Sequence, residues 1–529
     1  MKRPLFGIVA FLSLLVGFSV WAVSSPVGAS PDDDYHLGSI WCPSPKADSD
    51  CVYSVVDGTV TTVRVPESVL ESRTCYAYKP NVDASCTDQF SDGKEVGSLR
   101  FNRGGYPGGY YSFQHMLVGD DVSRSVVIMR LSNIVLSLGL TAIVVVMASP
   151  RIRQQIVLSA TVAWVPMGVY FISSTNPSAW AISGCYVYGA ALVALIFASG
   201  RKTWILLGTA AVGALMAIES RTDSAFFVVV ISLAVALLAG LNKAYWRRYI
   251  VLAFVQVFAV TVFLSTGQTA EMTSAADWPV STLPLYKVFF HNLLKLPEYL
   301  GKFWGLNEGM GWLDVSLLGW STLTMIALAG GLFAVGLREV WTRKALSILV
   351  LAGAIGGIPV LGMTIRRVEP VTLYQGRYML PLVAILFLVL LVSRGKESLV
   401  FSRSQLVVLL AVVTISNGLA LRRLIRRYAI GLASSSDISL SNPTWSPWPI
   451  SAEALWWIGT VGLTLGVTLA LVMTSRTTIA NPEIAEGLPQ NNTDEGHRGK
   501  HRSGCFVSSV TNSSRTCDND GVSTLVSES

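Results

Sequence analysis

The apolar residues of this chain are gathered into long blocks, and this pattern constrains its fold more than any other feature. A helix that spans a bilayer needs roughly 20 predominantly apolar residues. About twelve blocks reach or approach that length, near residues 5–23, 126–148, 155–173, 181–199, 203–219, 224–241, 249–266, 317–337, 345–364, 378–393, 404–421 and 453–474. The sequence therefore predicts an all-α polytopic membrane protein with about 12 transmembrane helices.

Composition agrees with this reading, since 51% of the 529 residues are hydrophobic and 14% are charged. Soluble globular chains average roughly 25% charged residues, so a cytosolic enzyme, a disordered scaffold and a small secreted module are excluded. The net charge is +7. Because the basic residues lie beside the predicted helices, we expect the lipid bilayer, and no nucleic acid, as their partner.

Lysine and arginine near the helix ends predict the orientation in the plasma membrane, because basic connections tend to stay in the cytoplasm. With Lys2 and Arg3 inside, the alternate short connections are basic and both termini are cytoplasmic. The opposite side nevertheless holds many arginines: Arg221, Arg366, Arg367, Arg377, Arg422, Arg423, Arg426 and Arg427. These external arginines need another explanation.

The predicted spans divide the chain into six parts. They are the first transmembrane helix (1–24), an extracytoplasmic cap (25–125), transmembrane helices (126–266), an external loop with an amphipathic helix at 283–306 (267–316), further transmembrane helices (317–475) and a polar cytoplasmic tail (476–529). The tail is too polar to fold alone. Alternatively, the first block is a signal peptide and residues 1–29 are cleaved. Both readings leave the cap outside the cytoplasm.

The cap holds four cysteines, and the oxidising side of a membrane favours disulfides. The residues are Cys42, Cys51, Cys75 and Cys86, and two further cysteines in the tail, Cys505 and Cys517, are expected to stay reduced. Four cysteines allow three pairings, which the sequence leaves open.

An acidic cluster follows the first helix, with Asp32, Asp33 and Asp34 just before His36. Adjacent carboxylates perturb one another's pKa values, and such groups concentrate at functional sites. If the segment is helical, Asp32 and His36 share a face. A carboxylate there could act as a general base, and the Asp-x-Asp pair could hold a divalent cation. A solvated acidic loop is the alternative.

Two of the external arginines are candidates for binding phosphate, which a guanidinium group contacts through two hydrogen bonds. Arg221 lies in a tight turn, where a salt bridge to Glu219 or Asp223 is the alternative role. Arg377 precedes a helix, and a cation opposes the dipole at a helix N-terminus, so we expect an anion nearby.

Other external residues have simpler expected roles. The arginines of segment 422–427 are expected to meet lipid headgroups, Trp312 to anchor the membrane interface and Asp314 to cap a turn. No Walker loop, zinc spacing, dinucleotide fingerprint or serine nucleophile motif occurs, so ATP-driven transport, metalloprotease and redox chemistry have no support. No cofactor is predicted beyond a possible divalent cation.

Several short motifs occur together in a recognisable order. They are Pro31-Asp32-Asp33-x-x-His36, Thr175-Asn176-Pro177-Ser178, Ser220-Arg221, Gly311-Trp312-Leu313-Asp314 and Gln375-Gly376-Arg377-Tyr378-x-x-Pro381. Over about residues 5–475 the chain resembles the multi-pass membrane proteins catalogued as domain of unknown function 2142, which are common in actinobacteria. That family is similar to GT-C glycosyltransferases.

The resemblance implies an enzyme that takes a sugar from a polyprenyl-phosphate carrier and places it on an acceptor outside the cytoplasm. It places Asp32 and Asp33 in the catalytic loop with His36. Arg221 and Arg377, with Asp34, Gln375 and Tyr378, become candidates for binding substrate. Two departures stand out, since Asp33 occurs where the family often has Glu, and Ala179-Trp180-Ala181 where an acidic residue often follows the Asn-Pro-Ser turn.

The leading hypothesis is an inverting glycosyl transfer at the outer face of the membrane, onto a glycan, lipid or protein of the cell envelope. Asp32 or Asp33 would deprotonate the acceptor hydroxyl, His36 would orient that carboxylate or the sugar, and the arginines would stabilise the departing phosphate. The alternatives are a transporter or flippase of lipid-linked glycans and an envelope assembly scaffold. The enzyme reading requires the acidic cluster and the arginines to converge in one pocket.

Overall fold

The computed structural model describes residues 2–43, 51–240, 246–267, 278–394, 401–432, 440, 442–443, 445 and 448–479. Its helices are α1 Lys2–Val23, α2 Asp33–Trp41, α3 Glu67–Tyr76, α4 Gly109–His115, α5 Val122–Met147, α6 Pro150–Trp164, α7 Met167–Ile172, α8 Ser178–Ile196, α9 Arg201–Ile218, α10 Thr222–Ala239, α11 Trp246–Ser265, α12 Leu285–Leu294, α13 Leu296–Gly301, α14 Gly319–Gly336, α15 Thr342–Ile365, α16 Leu380–Leu391, α17 Arg403–Ala429 and α18 Ala452–Ile479. The strands are β1 Tyr53–Val56, β2 Thr59–Pro66 and β3 Glu95–Ser98. Residues 480–529, with Cys505, Cys517 and most of the predicted tail, lie outside the described residues.

The prediction of an all-α polytopic membrane protein is confirmed. Within the described ranges, ten helices are long and apolar enough to span a bilayer, and each coincides with one of the twelve predicted blocks. The block at 155–173 is instead divided into α6 and α7 by Val165 and Pro166, because proline lacks the N–H that a continuing helix needs. The block at 378–393 forms the shorter apolar helix α16.

Glycines set the closest approaches between the spanning helices. A Cβ atom added to Gly17 of α1 would lie 2.6 Å from the backbone nitrogen of Leu463 in α18, and one on Gly184 of α8 would lie 2.7 Å from the carbonyl oxygen of Gly213 in α9. Small residues let membrane helices pack closely, since no hydrophobic effect drives their association in lipid. The α1–α18 and α8–α9 pairs are thereby fixed, and α8 is buried along nearly its whole length.

The first helix is bound to the rest of the molecule at its outer end as well. Arg130 of α5 is almost fully buried, and its guanidinium group donates to the carbonyl oxygens of Ala22, Ser25 and Pro26 at 2.9, 2.5 and 2.7 Å. Carbonyl groups at a helix C-terminus have no intrahelical partner, so this cation caps α1. Cleavage of residues 1–29 would remove all three acceptors.

Between α1 and α5 the chain folds into a cap with a three-stranded antiparallel sheet in the order β1-β2-β3. Asp57 and Gly58 connect β1 to β2 with φ angles of 49° and 74°, and Asp-Gly is a favoured pair for such a tight hairpin. In β2, Val63 and Val65 are buried while Arg64 between them is exposed, as the alternation of a half-buried strand requires.

The four cysteines of the cap form two disulfides, as predicted, and the structure resolves the pairing. Cys42 pairs with Cys51 and Cys75 pairs with Cys86, with Cα atoms 5.5 and 6.0 Å apart. The first bridge ties the residue after α2 to the segment just before β1. The second closes the loop that follows α3, so both bridges stabilise segments next to the acidic cluster.

The external segment predicted as one amphipathic helix at 283–306 contains α12, α13 and a short 3-10 turn. Asn292 of α12 is buried and its amide donates to Thr364 and to the carbonyl oxygen of Val368. On the opposite side, Tyr286 and Phe290 are exposed. Such exposed apolar side chains are those that an interfacial helix buries in the headgroup region.

Candidate functional site

The acidic cluster lies at the start of α2, directly beyond the outer end of α1. Asp32 precedes the helix with a φ angle of 62°, a left-handed conformation that aspartate tolerates better than most residues. The backbone N–H of His36 donates to the carbonyl oxygen of Asp32 at 2.9 Å. Asp32 and His36 therefore lie one helical turn apart, as predicted.

Asp32 is the exposed member of the cluster, since 40% of its side chain is accessible. One oxygen accepts from Nη2 of Arg377 at 2.9 Å, and the other lies 3.2 Å from Nη2 of Arg100. Burial of the carboxyl acts to raise its pKa, but the charges around it, led by that of Arg377, lower the pKa of Asp32 to about 2. The group is an accessible carboxylate at neutral pH.

Asp33 has the opposite environment, because its side chain is fully buried. It accepts from the backbone N–H of Ser30 at 2.9 Å and from the hydroxyl of Thr175 at 3.2 Å. Burial raises the pKa of Asp33 to about 7, although the charge of Arg130 opposes the rise. Asp33 braces the loop from within the protein.

The Thr175-Asn176-Pro177-Ser178 turn supports the same loop. Besides the Thr175 bond to Asp33, the amide of Asn176 donates to the carbonyl oxygen of Pro31 at 2.9 Å. Both residues are fully buried. This turn therefore positions the acidic loop, a role that the sequence motif alone did not assign.

Two arginines of the cap neutralise Asp34. Nε of Arg73 and Nη1 of Arg100 lie 3.0 and 3.2 Å from the same oxygen of Asp34, which is buried. Arg100 thus joins Asp32 to Asp34 while 46% of its own side chain remains accessible. The cap contributes charged groups to the site and is more than a cover over it.

His36 faces away from solvent into a group of tyrosines. Its Nδ1 lies 2.9 Å from the hydroxyl of Tyr111, and the rings of Tyr35 and Tyr106 lie 5.4 and 5.5 Å from its own. Burial lowers the pKa of His36 to about 3. The imidazole is therefore neutral at physiological pH. It can orient neighbouring groups without adding a charge to the site.

Arg377 is held in a short turn that is fixed by a buried carboxylate. Glu308 accepts from the backbone N–H groups of Gly376 and Arg377 at 2.8 and 3.4 Å, and forms a salt bridge of 3.1 Å with Lys302. The side chain of Arg377 is 2% exposed. The anion that its place before α16 predicts is Asp32, so Glu308 and Asp32 fix Arg377 from two sides.

The guanidinium group of Arg377 keeps unused donors. Its Nη2 bonds to Asp32 and to the hydroxyl of Tyr378, but Nε and Nη1 have no hydrogen-bond partner among the described residues. Oε1 of Gln375 is also buried and has no hydrogen-bond partner among the described residues. Buried donors without partners are costly, and two on one arginine indicate an anionic ligand.

Arg221 lies beside the same tyrosine, Tyr378, as Arg377 does. Its guanidinium carbon is 4.7 Å from the centre of the Tyr378 ring, and that of Arg377 is 5.1 Å from the same centre. Arg221 also makes a two-point salt bridge to Asp223, at 2.9 and 2.6 Å. Arg221 therefore forms the salt bridge to Asp223 that was its alternative role, and it also lies beside the candidate site.

The charges in this group do not cancel. The contacts described above join Asp32, Asp34 and Asp223 with Arg73, Arg100, Arg221 and Arg377. The excess is one positive charge, and the donors without partners are on Arg377. Electrostatics and hydrogen bonding both favour an anion there.

The Asp-x-Asp pair does not fit a divalent cation in this arrangement. Asp32 and Asp34 are both paired with arginine, and a cation would have to displace those guanidinium groups. Within the described ranges, no group of three or more His, Cys, Asp or Glu side chains is placed to hold a metal ion.

Two other expectations about external residues were wrong. The expectation for the arginines of segment 422–427 is wrong for Arg427, which is fully buried and binds Asp314 at 2.8 Å, whereas Arg422 and Arg423 are partly exposed. Trp312 is buried and donates from its ring nitrogen to the carbonyl oxygen of Gly28 at 2.8 Å, so it is no interface anchor. Asp314 does accept from the backbone N–H of Trp312, as a turn cap would.

Comparison with known proteins gives one family. The model of the family described as "Predicted membrane protein (DUF2142)" matches residues 14–386. No curated protein matches the sequence. Among solved structures, the crystal structure of ArnT from Cupriavidus metallidurans bound to undecaprenyl phosphate is similar, with 12% sequence identity and a TM-score of 0.36, over 90% of this chain and 77% of that chain. A likeness this low carries no argument about substrate.

Proposed function

This chain belongs to the DUF2142 family of predicted membrane proteins, and from that premise we propose that it is a membrane glycosyltransferase. The enzyme moves a sugar from a polyprenyl-phosphate donor to an acceptor of the cell envelope at the outer face of the plasma membrane. The observation that carries the proposal is the pair of Arg377 and Asp32. A buried arginine with unused donors is bonded to an accessible carboxylate.

Arg377 binds the phosphate of the donor through Nε and Nη1. As the bond to the sugar breaks, negative charge grows on the phosphate, and a fixed guanidinium group in a site of low polarity stabilises that charge. Arg221 adds a second positive charge beside the Tyr378 ring, while Gln375 and Tyr378 complete the wall of the site. Polyprenyl phosphate is a fair leaving group, so positioning and charge stabilisation supply most of the catalysis.

Asp32 is the general base in this proposal. Its low pKa in the unliganded site makes it a weak base, because Arg377 stabilises the carboxylate. A phosphate that engages Arg377 weakens this ion pair, and the pKa of Asp32 then rises toward its ordinary value. Donor binding thereby prepares the carboxylate to accept the proton of an acceptor hydroxyl.

The remaining members of the cluster have supporting roles. Asp33 is buried and bonded within the protein, so it stabilises the loop and does not contact substrate. Asp34 anchors Arg73 and Arg100, and neutral His36 orients the first turn of α2. Two disulfides in the adjacent cap support an oxidising, extracytoplasmic location for the site, with both termini cytoplasmic.

The decisive experiment compares Asp32→Asn with the wild type in lipid nanodiscs. The substrates are a panel of polyprenyl-phosphate-linked sugars, and the measurement is release of polyprenyl phosphate. Loss of a general base is expected to lower the rate by about 10²–10⁴-fold. The matched control is Asp88→Asn, which alters an exposed carboxylate of the cap and should retain full activity.

Other outcomes identify the alternatives. A flippase should move a fluorescent lipid-linked glycan across the bilayer equally well in the wild type and in the Asp32→Asn variant, with no release of polyprenyl phosphate. A scaffold should do neither. Either result, in a protein that folds and carries its disulfides, contradicts the enzyme proposal.

A further inference from the structure

The cap contributes an exposed aromatic side chain beside the candidate site that the proposed chemistry does not use. Tyr78 is 67% exposed and lies two residues beyond the end of α3. Its φ angle is 60°, in the left-handed region where glycine is favoured and a bulky residue is uncommon. A tyrosine retained in this conformation and left open to solvent requires a reason outside packing.

Tyr78 is attached to the site through Trp312. The two rings lie 5.5 Å apart in an edge-to-face arrangement, and the guanidinium carbon of Arg73 lies 5.3 Å from the centre of the Trp312 ring. Arg73 in turn binds Asp34 at 3.0 Å. Burial raises the pKa of Tyr78, and the charge of Asp32 raises it further.

The loop that carries Tyr78 is fixed on both sides. The Cys75–Cys86 disulfide closes it, and Arg427 of α17 donates to the carbonyl oxygens of Tyr76 and Val82. The backbone N–H of Leu432 also donates to the carbonyl oxygen of Pro80 at 2.8 Å. The exposed ring is thus presented on a rigid support, as binding residues usually are.

The groups around this ring are suited to a neutral polyol. Arg73 and Arg100 each pair with a carboxylate of the cluster, and the donors without partners that favour an anion are those of Arg377. It offers an aromatic face, exposed donors on Arg100 and an exposed acceptor on Asp32. A sugar ring presents apolar C–H faces together with hydroxyl groups that both donate and accept.

We propose that Tyr78, supported by Trp312 and connected through Arg73 to the acidic cluster, is the acceptor subsite, and that it takes a neutral pyranose ring of an envelope glycan. This inference rests on the proposed function, because it assigns the acceptor of that reaction. The glycan stacks on Tyr78 with one hydroxyl toward Asp32. A lipid or protein acceptor would have no need of this ring.

Binding of simple sugars tests the subsite without requiring turnover. The probes are methyl α-mannopyranoside and methyl β-galactopyranoside, and the measurement is saturation-transfer difference NMR on the full chain in nanodiscs. The wild type should transfer saturation to the pyranose ring protons. Tyr78→Phe should retain the effect, whereas Tyr78→Ala should weaken binding by about tenfold, as the loss of one aromatic contact predicts.

Two further variants separate loss of the ring from loss of the fold. Tyr78→Gly also removes the ring but relieves the left-handed backbone, so it should melt at a higher temperature than Tyr78→Ala and bind equally poorly. Tyr286→Ala removes a tyrosine of α12 that is 61% exposed outside the site, and should bind like the wild type.

The results that overturn the subsite are equally specific. They are absence of saturation transfer in the wild type, an unchanged signal in both Tyr78→Ala and Tyr78→Gly, or an equal loss in Tyr286→Ala. Failure of the proposed function is separate, because Asp32→Asn is judged on release of polyprenyl phosphate. Glycoside binding through Tyr78 with no release of polyprenyl phosphate by the wild type would leave the subsite in place and remove only the transferase.

Discussion

Arg377 and Arg427 make an instructive pair, because both are buried arginines bonded to an aspartate. Arg427 directs all three guanidinium nitrogens to Asp314 or to carbonyl oxygens, and Asp314 is itself buried. Arg377 shares one nitrogen with an accessible Asp32 and leaves two without partners among the described residues. One arginine is a structural brace, and the other has capacity left for a ligand.

The difference teaches that burial and charge do not by themselves mark a functional residue. What separates the two arginines is whether the hydrogen-bonding capacity is used up inside the protein. Three sets of variants test this distinction, and the pH dependence of turnover separately tests which aspartate is the base.

Arg427→Ala should destabilise the protein severely. Removing one partner of a buried ion pair leaves the other charge uncompensated, at a cost of about 3–5 kcal/mol. The measurement is the free energy of unfolding, or the melting temperature, in nanodiscs. As a control, Arg124→Ala removes an exposed partner of Asp121 and should cost at most about 1 kcal/mol. Equal melting temperatures for the two variants would contradict the role of Arg427 as a brace.

Arg377→Ala should have the reverse profile, with a large loss of turnover and a smaller loss of stability, because its partner Asp32 is already accessible to water. Removing one preorganised donor at a developing negative charge typically lowers kcat by about 10²–10³-fold. Arg377→Lys should recover only part of the rate, since an ammonium group cannot reproduce the fork of the guanidinium. A variant that loses stability as Arg427→Ala does would identify Arg377 as a second brace.

Glu308→Gln should act through Arg377. The amide keeps only one of the two oxygens that accept from the turn, and the charge of Lys302 is then unpaired, so the turn is expected to shift. A displacement of about 1 Å can cost up to about 10²-fold in rate. We expect kcat to fall in Glu308→Gln. It should be partly restored in the double variant that also carries Lys302→Met. If the double variant is no faster than the single one, the positioning role is wrong.

The pH dependence of kcat/KM should distinguish Asp32 from Asp33. A general base loses activity as pH falls through its pKa in the free enzyme. Because the pKa of Asp32 is about 2 and that of neutral His36 about 3, kcat/KM should stay flat from pH 8 down to about pH 5. If Asp33 were the base, the rate would fall about tenfold per pH unit below its pKa of about 7.

The sequence predicted the membrane architecture and the meeting of Asp32 with Arg377, although these residues lie far apart in the chain. Apolar block length and basic connections place both residues at the same side of the bilayer, and the excess of arginine on that side indicated a shared anion site. Motif order then pointed to the same residues. The disulfides were predicted because the cap was placed on the oxidising side of the membrane. Their pairing could not be predicted.

Other members of the site could not be predicted, because their partners are chosen by tertiary packing. Arg73 and Arg100 carry no motif, and nothing in the sequence joins them to Asp34. Glu308 lies in a polar external loop, where a carboxylate is ordinary until its bonds to the Arg377 turn are seen. The brace formed by Arg427 was missed because a run of arginines near a membrane usually meets lipid.

The seam between α1 and α18 joins the first helix that the structure describes with the last one. Gly17 meets Leu463 there at a distance that admits no larger side chain. Until α18 is synthesised and inserted, the matching surface of α1 is exposed to lipid, so the bundle closes only after translation of the whole membrane region. Termination before residue 452 would therefore leave an open bundle, a natural substrate for membrane proteases that remove unfinished proteins.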